Sequence, residues 1–254
     1  MVDLPWWTLF ATALIVTLGY TVYGLAGFGA AIVAIPLLAY FYPLRFAVPM
    51  MLVFDLFAGL LLGLRNYRLV DRRELLRLVP TLLIGMAVGA TLLVRAPEQW
   101  LLLLLGAFVL SYASWSLLGK TSAAAISPRW AIPAGAVGGV FTALYGTGGP
   151  IYTIYLARRL PDKTVLRATT GVLIFGTALI RLALFTSSGF YSQDGLLPLA
   201  FALLPCALIG YLAGSYLHFH IPTQRAKQAV WLLLIAGGAS LIWRGAGAAM
   251  TTVL

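Results

Sequence analysis

The sequence is poor in the residue types from which soluble proteins build their surfaces and many of their active sites. Charged residues make up 9% of the chain, whereas an ordinary soluble domain carries about 25%. Of its 254 residues, 7 are acidic, 2 are histidines and 1, Cys206, is a cysteine. The single cysteine excludes an intrachain disulfide and a multi-cysteine metal site. We therefore predict no metal site and no cofactor, and we interpret Cys206 as a small buried apolar residue.

What the chain has instead is runs of apolar residues, which make up 61% of it. These runs are 6–23, 30–41, 46–64, 78–95, 99–118, 131–145, 150–157, 165–186, 195–218 and 227–244. A helix needs about 20 apolar residues to cross a bilayer, so the chain accommodates about eight to ten helical membrane segments and no soluble domain. The composition predicts an all-α integral membrane protein.

Two glycine-rich segments, 23–31 and 145–150, interrupt the apolar sequence. Glycine costs about 1 kcal/mol against alanine in a helix and proline about 3, so both segments predict unwound backbone. Unwound backbone at membrane depth survives only where protein or a water-filled cavity satisfies its polar groups. Each break therefore joins two helical pieces, either as a re-entrant hairpin or as a pair of tilted helices. Two such breaks in corresponding positions are typical of a transporter's substrate site.

The two halves of the sequence repeat each other. Residues 80–89 align with 205–214 at an offset of 125, and Gly27 and Gly29 align with Gly146 and Gly148 at an offset of 119. We therefore predict an internal duplication within one membrane domain. Residues 1–120 form the first repeat and 121–254 the second, each with a broken element and three transmembrane helices.

The basic residues predict how the halves are oriented. Four loops, at 65–77, 119–130, 158–167 and 219–227, hold 13 of the 17 lysines and arginines, which marks them as cytoplasmic. We interpret the net charge of +10 as this topology signal and expect no nucleic-acid partner. Both loops that flank the second broken element are cytoplasmic, so that element enters and returns. The second half is then inverted relative to the first, with both termini outside.

Two charged residues, Asp55 and Arg181, lie at least five residues from either end of an apolar run, where charges are costly. Asp55 is near the centre of 46–64, at a cost of about 2.5–3.5 kcal/mol unless it is paired, protonated or faces a cavity. Because desolvation favours a neutral carboxyl, we predict that Asp55 couples transport to protons; the alternative is a structural hydrogen bond to a neighbouring helix. Arg181 shares a helix face with Thr170 and Thr177. It either snorkels to the outer interface or binds the substrate.

The chemistry of the breaks predicts an anion as substrate. Half-helix N-termini carry about +0.5 charge and expose backbone N–H groups. No nucleophile–base pair or carboxylate pair is evident in the spans, so we predict a transporter that is no enzyme, acting as a monomer or homodimer. The predicted substrate-binding residues are Gly27, Phe28, Gly29, Tyr145, Gly146, Thr147, Gly148, Gly149, Tyr152 and Arg181.

Three motifs resemble the TauE/SafE sulfite exporter family: residues 24–36 (GLAGFGAAIVAIP), 146–152 (GTGGPIY) and the basic loop 67–73 (YRLVDRR). The similarity covers nearly the whole chain. It implies transport of sulfite or an organosulfonate across a bacterial-type plasma membrane, usually outward, by alternating access. An inside-negative potential of about 100 mV favours export of a monovalent anion by about 2.3 kcal/mol, with proton coupling optional. The alternative is an uptake permease for a small organic acid or an inorganic anion.

Overall fold

The part of the chain that the structure describes is helical, as its apolar runs predict. A computed structural model describes residues 5–27, 29–63, 67–118, 125–217, 234–235 and 237–245. Within them no strand is found, and the α-helices are α1 (Trp6–Ala26), α2 (Ala30–Leu38), α3 (Leu44–Gly63), α4 (Arg72–Arg95), α5 (Glu98–Leu118), α6 (Ala131–Tyr145), α7 (Gly149–Ala157), α8 (Lys163–Ser187) and α9 (Leu196–Leu217). Residues 237–245 are also helical. The all-α fold class is therefore confirmed.

Both glycine-rich segments interrupt the helices, and each separates a longer helix from a half-helix. The first break lies between α1 and α2 and the second between α6 and α7. With 9 residues each, α2 and α7 are about 14 Å long at 1.5 Å per residue, roughly half the hydrocarbon thickness. The first break is shorter than expected, because Gly24 lies inside α1. Gly24 packs against the backbone of α9, where a β-carbon would contact Tyr211 and Ser215.

Close packing of α4 on α6 depends on two glycines of α4. A β-carbon at Gly85 would overlap the carbonyl oxygen of Ala136, and one at Gly89 would meet the carbonyl oxygen of Val140. Small residues at this spacing let two helix backbones approach closely, which is how helices associate inside membranes. These glycines therefore determine which neighbour α4 takes.

The same contact recurs between α9 and α1. Gly210 and Gly214 press against the carbonyl oxygens of Thr17 and Thr21. These glycines follow those of α4 by 125 residues, and the contacted carbonyls of α6 follow those of α1 by 119. The two offsets are those that relate the halves in the sequence. This correspondence supports the predicted duplication, since each half contributes its first helix to the other half's glycine face.

The outer surface of the bundle is apolar. Ile84 of α4 and Ile209 of α9, again 125 residues apart, are 65% and 61% exposed. Such residues would aggregate a soluble protein but match a hydrocarbon surrounding. Helices α1, α4, α5, α8 and α9 are each long and apolar enough to cross a membrane.

Side-chain hydrogen bonds join several loops at each of the two ends of the bundle. At one end, Arg159 donates to the carbonyl oxygen of Ile126 and to Glu74 at the start of α4. This brings together three of the four loops predicted to be cytoplasmic. At the other end, Arg45 donates to the carbonyl oxygens of Leu93 and Ala96, and Gln193 donates to the carbonyl oxygen of Arg45. The fourth basic loop, 219–227, lies outside the described residues, as does the C-terminus.

Candidate functional site

A small cavity lies between the two breaks and is lined by residues from both halves of the chain. Its volume is about 20 Å³, enough for about one water molecule. Its lining residues are Tyr23, Gly29, Ala30, Ala31, Asp55, Thr142, Gly146, Gly149, Tyr152, Ile174, Thr177, Ala178 and Arg181. Both charged residues that the sequence places within apolar runs are among them.

Asp55 and Arg181 form a buried ion pair across this cavity. Arg181 donates from Nη1 to Oδ2 of Asp55 at 3.3 Å, and the hydroxyl of Tyr20 donates to Oδ1 at 2.7 Å. Asp55 and Arg181 are 7% and 3% exposed. Asp55 lies on α3 and Arg181 on α8, so the pair joins the two predicted repeats. Arg181 therefore faces the interior and does not snorkel to the outer interface.

Most of the hydrogen-bonding capacity of Arg181 is unused. Its Nε and Nη2 atoms are buried and have no partner among the described residues, and the same holds for the hydroxyl of Tyr23. Each buried donor without a partner costs about 1–3 kcal/mol. Nε and Nη2 form one edge of the guanidinium, whose two N–H groups match two oxygens of an anion. The site is therefore incomplete as a purely structural ion pair.

The two half-helices begin at the cavity. Ala30 and Ala31 of α2 and Gly149 of α7 line it, and neither N-terminus is capped by a side chain. The first N–H groups of a helix lack intrahelical partners and carry partial positive charge. Two such ends beside an unpaired guanidinium edge favour a negatively charged ligand.

Glycine is required at the second break because the backbone there is left-handed and touches the cation. Gly146 has φ 71°, and a β-carbon on it would lie 3.1 Å from Nη1 and 3.2 Å from Nη2 of Arg181. At the first break Gly27 and Gly29 have φ 79° and 99°. Gly27 ends α1 by donating its N–H to the carbonyl oxygen of Tyr23 at 2.7 Å.

The predicted substrate-binding residues divide into two groups. Gly29, Gly146, Gly149, Tyr152 and Arg181 line the cavity, and Phe28 lies outside the described residues. The four remaining ones do not line the cavity. Gly27 caps α1, and Tyr145 donates its hydroxyl to the carbonyl oxygen of Leu101 at 2.7 Å. Gly148 packs against Gly138 and Thr142, and Thr147 is buried, with no partner for its hydroxyl among the residues that the structure describes.

Sequence reasoning missed several polar residues of the site. Tyr20 and Tyr23 both face it from the last turns of α1, and Thr142 lies one turn before the second break. The available signal was their helical spacing ahead of the glycines, which places Tyr20 and Tyr23 on one face. Thr177 stood in the predicted polar stripe of Arg181, but only the structure places it in the cavity.

A second buried carboxylate, Glu74, lies outside the cavity at the end predicted to be cytoplasmic. Its Oε2 accepts from Tyr155 at 2.5 Å, and its Oε1 accepts from Arg77 and from Nε and Nη2 of Arg159 at 2.5, 3.1 and 2.9 Å. Nη1 of Arg159 donates to the carbonyl oxygen of Ile126. The hydrogen bonds that Arg159 donates to the Glu74 carboxylate raise the pKa of Arg159 above its usual value. This cluster ties α7 to α4.

Comparison with known proteins agrees with this architecture. A model of the family described as "Sulfite exporter TauE/SafE" matches residues 11–241. The chain is also 31% identical, over 201 residues, to a protein of Comamonas testosteroni named "Probable inner membrane transporter protein TsaS", covering 77% of this chain and 83% of that one. No solved structure matches the chain significantly. The family and this relative indicate a membrane transporter of the inner membrane and not an enzyme. The chain belongs to the TauE/SafE sulfite exporter family.

Proposed function

We propose that this protein moves a small sulfur-containing anion, sulfite or an organosulfonate, outward across the plasma membrane by alternating access. The observation that carries the proposal is the unpaired Nε and Nη2 edge of Arg181 in a cavity between two half-helix N-termini. Two oxygens of a sulfite or sulfonate group match the two parallel N–H groups of this edge. The unpartnered hydroxyl of Tyr23 supplies a further donor.

The volume of the cavity is consistent with a closed state in an alternating-access cycle. At about 20 Å³ it holds about one water molecule, so an anion enters only when neighbouring elements move. We propose that α2 and α7 move about the breaks, because the glycines there adopt left-handed backbone and glycine has access to more backbone conformations than any other residue. We propose that the unit of transport is a single chain, either alone or within a homodimer, because both halves of one chain contribute residues to the cavity.

Transport in this scheme is powered by gradients across the membrane. A transported substrate with net negative charge is driven outward by an inside-negative membrane potential, at about 2.3 kcal/mol per charge for about 100 mV. The second candidate function is uptake of a small organic acid or an inorganic anion. The Asp55–Arg181 pair favours it, since a carboxylate beside the anion-binding cation is placed to bring a proton inward with the anion.

Counterflow in proteoliposomes tests the transport proposal. Vesicles loaded with unlabelled sulfite should accumulate labelled sulfite when they contain the wild-type protein. Arg181→Lys keeps the charge beside Asp55 but removes the bidentate edge, so it should reduce counterflow about a hundredfold, which corresponds to about 2.7 kcal/mol. Arg159→Lys is the matched control, because it makes the same change at an ion pair outside the cavity. Equal activity of wild type and Arg181→Lys would contradict the proposed anion site.

The proposed inverted repeat has its own test. In a chain whose Cys206 is replaced by serine, Ser127→Cys and Ser188→Cys introduce thiols at exposed positions of opposite ends. An impermeant thiol reagent added to intact cells should label position 188 and not position 127. Labelling of position 127 from outside would contradict the proposed orientation.

A further inference from the structure

The cavity that we propose for the anion contains one positive and one negative side chain. Asp55 and Arg181 contact each other through Oδ2 and Nη1, so in their ionised forms their charges cancel. Where water is excluded, a neutral set of charges is far cheaper to hold than a net charge. Any anion that binds here therefore needs a compensating charge that Arg181, already paired with Asp55, does not fully provide.

The geometry places the incoming anion next to the carboxylate. The free edge of Arg181 consists of Nε and Nη2, and the third nitrogen of the same guanidinium, Nη1, is the one that contacts Asp55. Two negative groups then share a single guanidinium. A like charge at such a distance favours the neutral form of a carboxyl group.

We propose that each anion binding at Arg181 brings a proton onto Asp55, so that anion and proton cross the membrane together. This inference rests on the proposed transport function. The proton comes from water on the side to which the site is open, and it goes to Oδ2, because Oδ1 already accepts the Tyr20 hydroxyl. The new O–H group can donate to an oxygen of the anion, which replaces the hydrogen bond that Arg181 gave to Asp55.

The other titratable groups near Asp55 are phenols and guanidinium groups. On the helices packed around it, the groups that face Asp55 or its immediate neighbours are Arg181 and Arg167 of α8, Tyr20 and Tyr23 of α1, Tyr152 of α7, Tyr211 of α9 and, beyond α8, Tyr191. Phenols ordinarily ionise near pH 10 and guanidinium groups above pH 12. Asp55 is therefore the group in this set whose charge changes when the anion binds.

This coupling links the two candidate functions. A sulfonate carries one negative charge, so with one proton it crosses without net charge and follows the pH gradient and its own gradient. Sulfite as a dianion retains one negative charge beside the proton, so the membrane potential still drives it outward. The charge of the cargo therefore determines whether potential or pH powers its movement.

Calorimetry of anion binding to the purified protein tests the coupling. The probe is methanesulfonate, because its charge does not change near neutral pH. Titrations in buffers of different ionisation enthalpy should give about one proton taken up per anion bound, and by linkage the dissociation constant should rise about tenfold per pH unit above neutrality. Asp55→Asn should take up no proton and bind with an affinity that is independent of pH.

Glu74→Gln is the matched control, because Glu74 is also buried and ion-paired but does not line the cavity. This variant should still take up about one proton per anion. The coupling would be overturned if the wild type bound the anion without proton uptake, or if the dissociation constant of Asp55→Asn changed with pH as in the wild type. Neither result would contradict the proposed anion site. Absence of methanesulfonate binding to the wild type would instead overturn the proposed function. The wild-type pH slope decides the coupling even where Asp55→Asn fails to fold.

Discussion

Two buried carboxylates of this protein, Asp55 and Glu74, are both paired with arginine, and the comparison of their partners separates a binding site from a structural contact. All three guanidinium nitrogens of Arg159 are hydrogen-bonded, to Glu74 and to the carbonyl oxygen of Ile126. Within the described part of the chain only one nitrogen of Arg181 is hydrogen-bonded, although its side chain is 3% exposed against 23% for Arg159. Arg181 is thus the more deeply buried of the two cations but has fewer hydrogen bonds to the described residues.

The difference shows what each pair is suited to do. The Glu74 cluster is complete within the protein, so it can hold α7 against α4 without any ligand. The Asp55–Arg181 pair leaves donors open toward a cavity, which is unfavourable in a folded protein unless a ligand uses them. Four experiments with substituted proteins test this difference.

Removing the buried cation should have the largest effect. Arg181→Ala leaves Asp55 uncompensated in the interior, which we expect to lower the free energy of unfolding by about 3–5 kcal/mol and to abolish methanesulfonate binding. Thermal unfolding in detergent and calorimetry measure the two effects. The double variant Asp55→Asn, Arg181→Ala removes both charges and should regain most of the stability without regaining binding. A double variant as unstable as the single one would show that packing, and not charge, accounts for the loss.

Glu74→Gln should have a smaller effect on stability and none on binding. It removes the negative partner of Arg159, whose side chain is already 23% exposed and can turn to solvent. We expect the free energy of unfolding to fall by about 1–3 kcal/mol. The dissociation constant of methanesulfonate should stay unchanged, and a clear change would mean that the two ion pairs are coupled through α7.

Alanine substitutions at two glycines with nearly the same φ distinguish the effect of backbone strain from the effect of contact with the Arg181 guanidinium. Gly146 and Gly189 have φ 71° and 73°, but a β-carbon meets Arg181 at the first and nothing within 4 Å at the second. Each alanine substitution should cost about 1–2 kcal/mol of stability. Only Gly146→Ala should also weaken methanesulfonate binding, by about tenfold or about 1.4 kcal/mol. Equal affinities in the two variants would remove Gly146 from the site.

The smallest effect is expected from loss of a single hydroxyl. Tyr20→Phe removes the hydroxyl that donates to Asp55 at 2.7 Å and contacts the carbonyl oxygen of Met51 at 3.3 Å. Tyr145→Phe removes the hydroxyl that donates to the carbonyl oxygen of Leu101, and each loss should cost about 0.5–1.5 kcal/mol. Tyr20→Phe stabilises ionised Asp55 less, so methanesulfonate affinity should begin to fall at a higher pH than in the wild type. Tyr145→Phe should leave that pH unchanged. A shift in Tyr145→Phe would show that its hydroxyl reaches the substrate in another state of the transporter.

Much of the fold follows from local sequence. The apolar runs predict helices, and the glycines predict the breaks, because helix propensity depends on each residue and its near neighbours. The internal offsets of 125 and 119 indicate which helices correspond in the two halves. They do not indicate that α1 packs on α9 and α4 on α6, since that exchange depends on three-dimensional helix packing.

The candidate site, too, is predicted in part by local sequence and in part only by the packing of distant helices. The sequence by itself determined that Asp55 and Arg181 need partners, because each is a charge within apolar residues. Only the tertiary structure paired them, across 126 positions of the chain, and only it turned Tyr20 and Tyr23 toward the cavity and Tyr145 away from it. Composition and helix propensity act over a few neighbouring residues. The direction of a side chain and the identity of its partner depend on how distant helices pack, which no local pattern encodes.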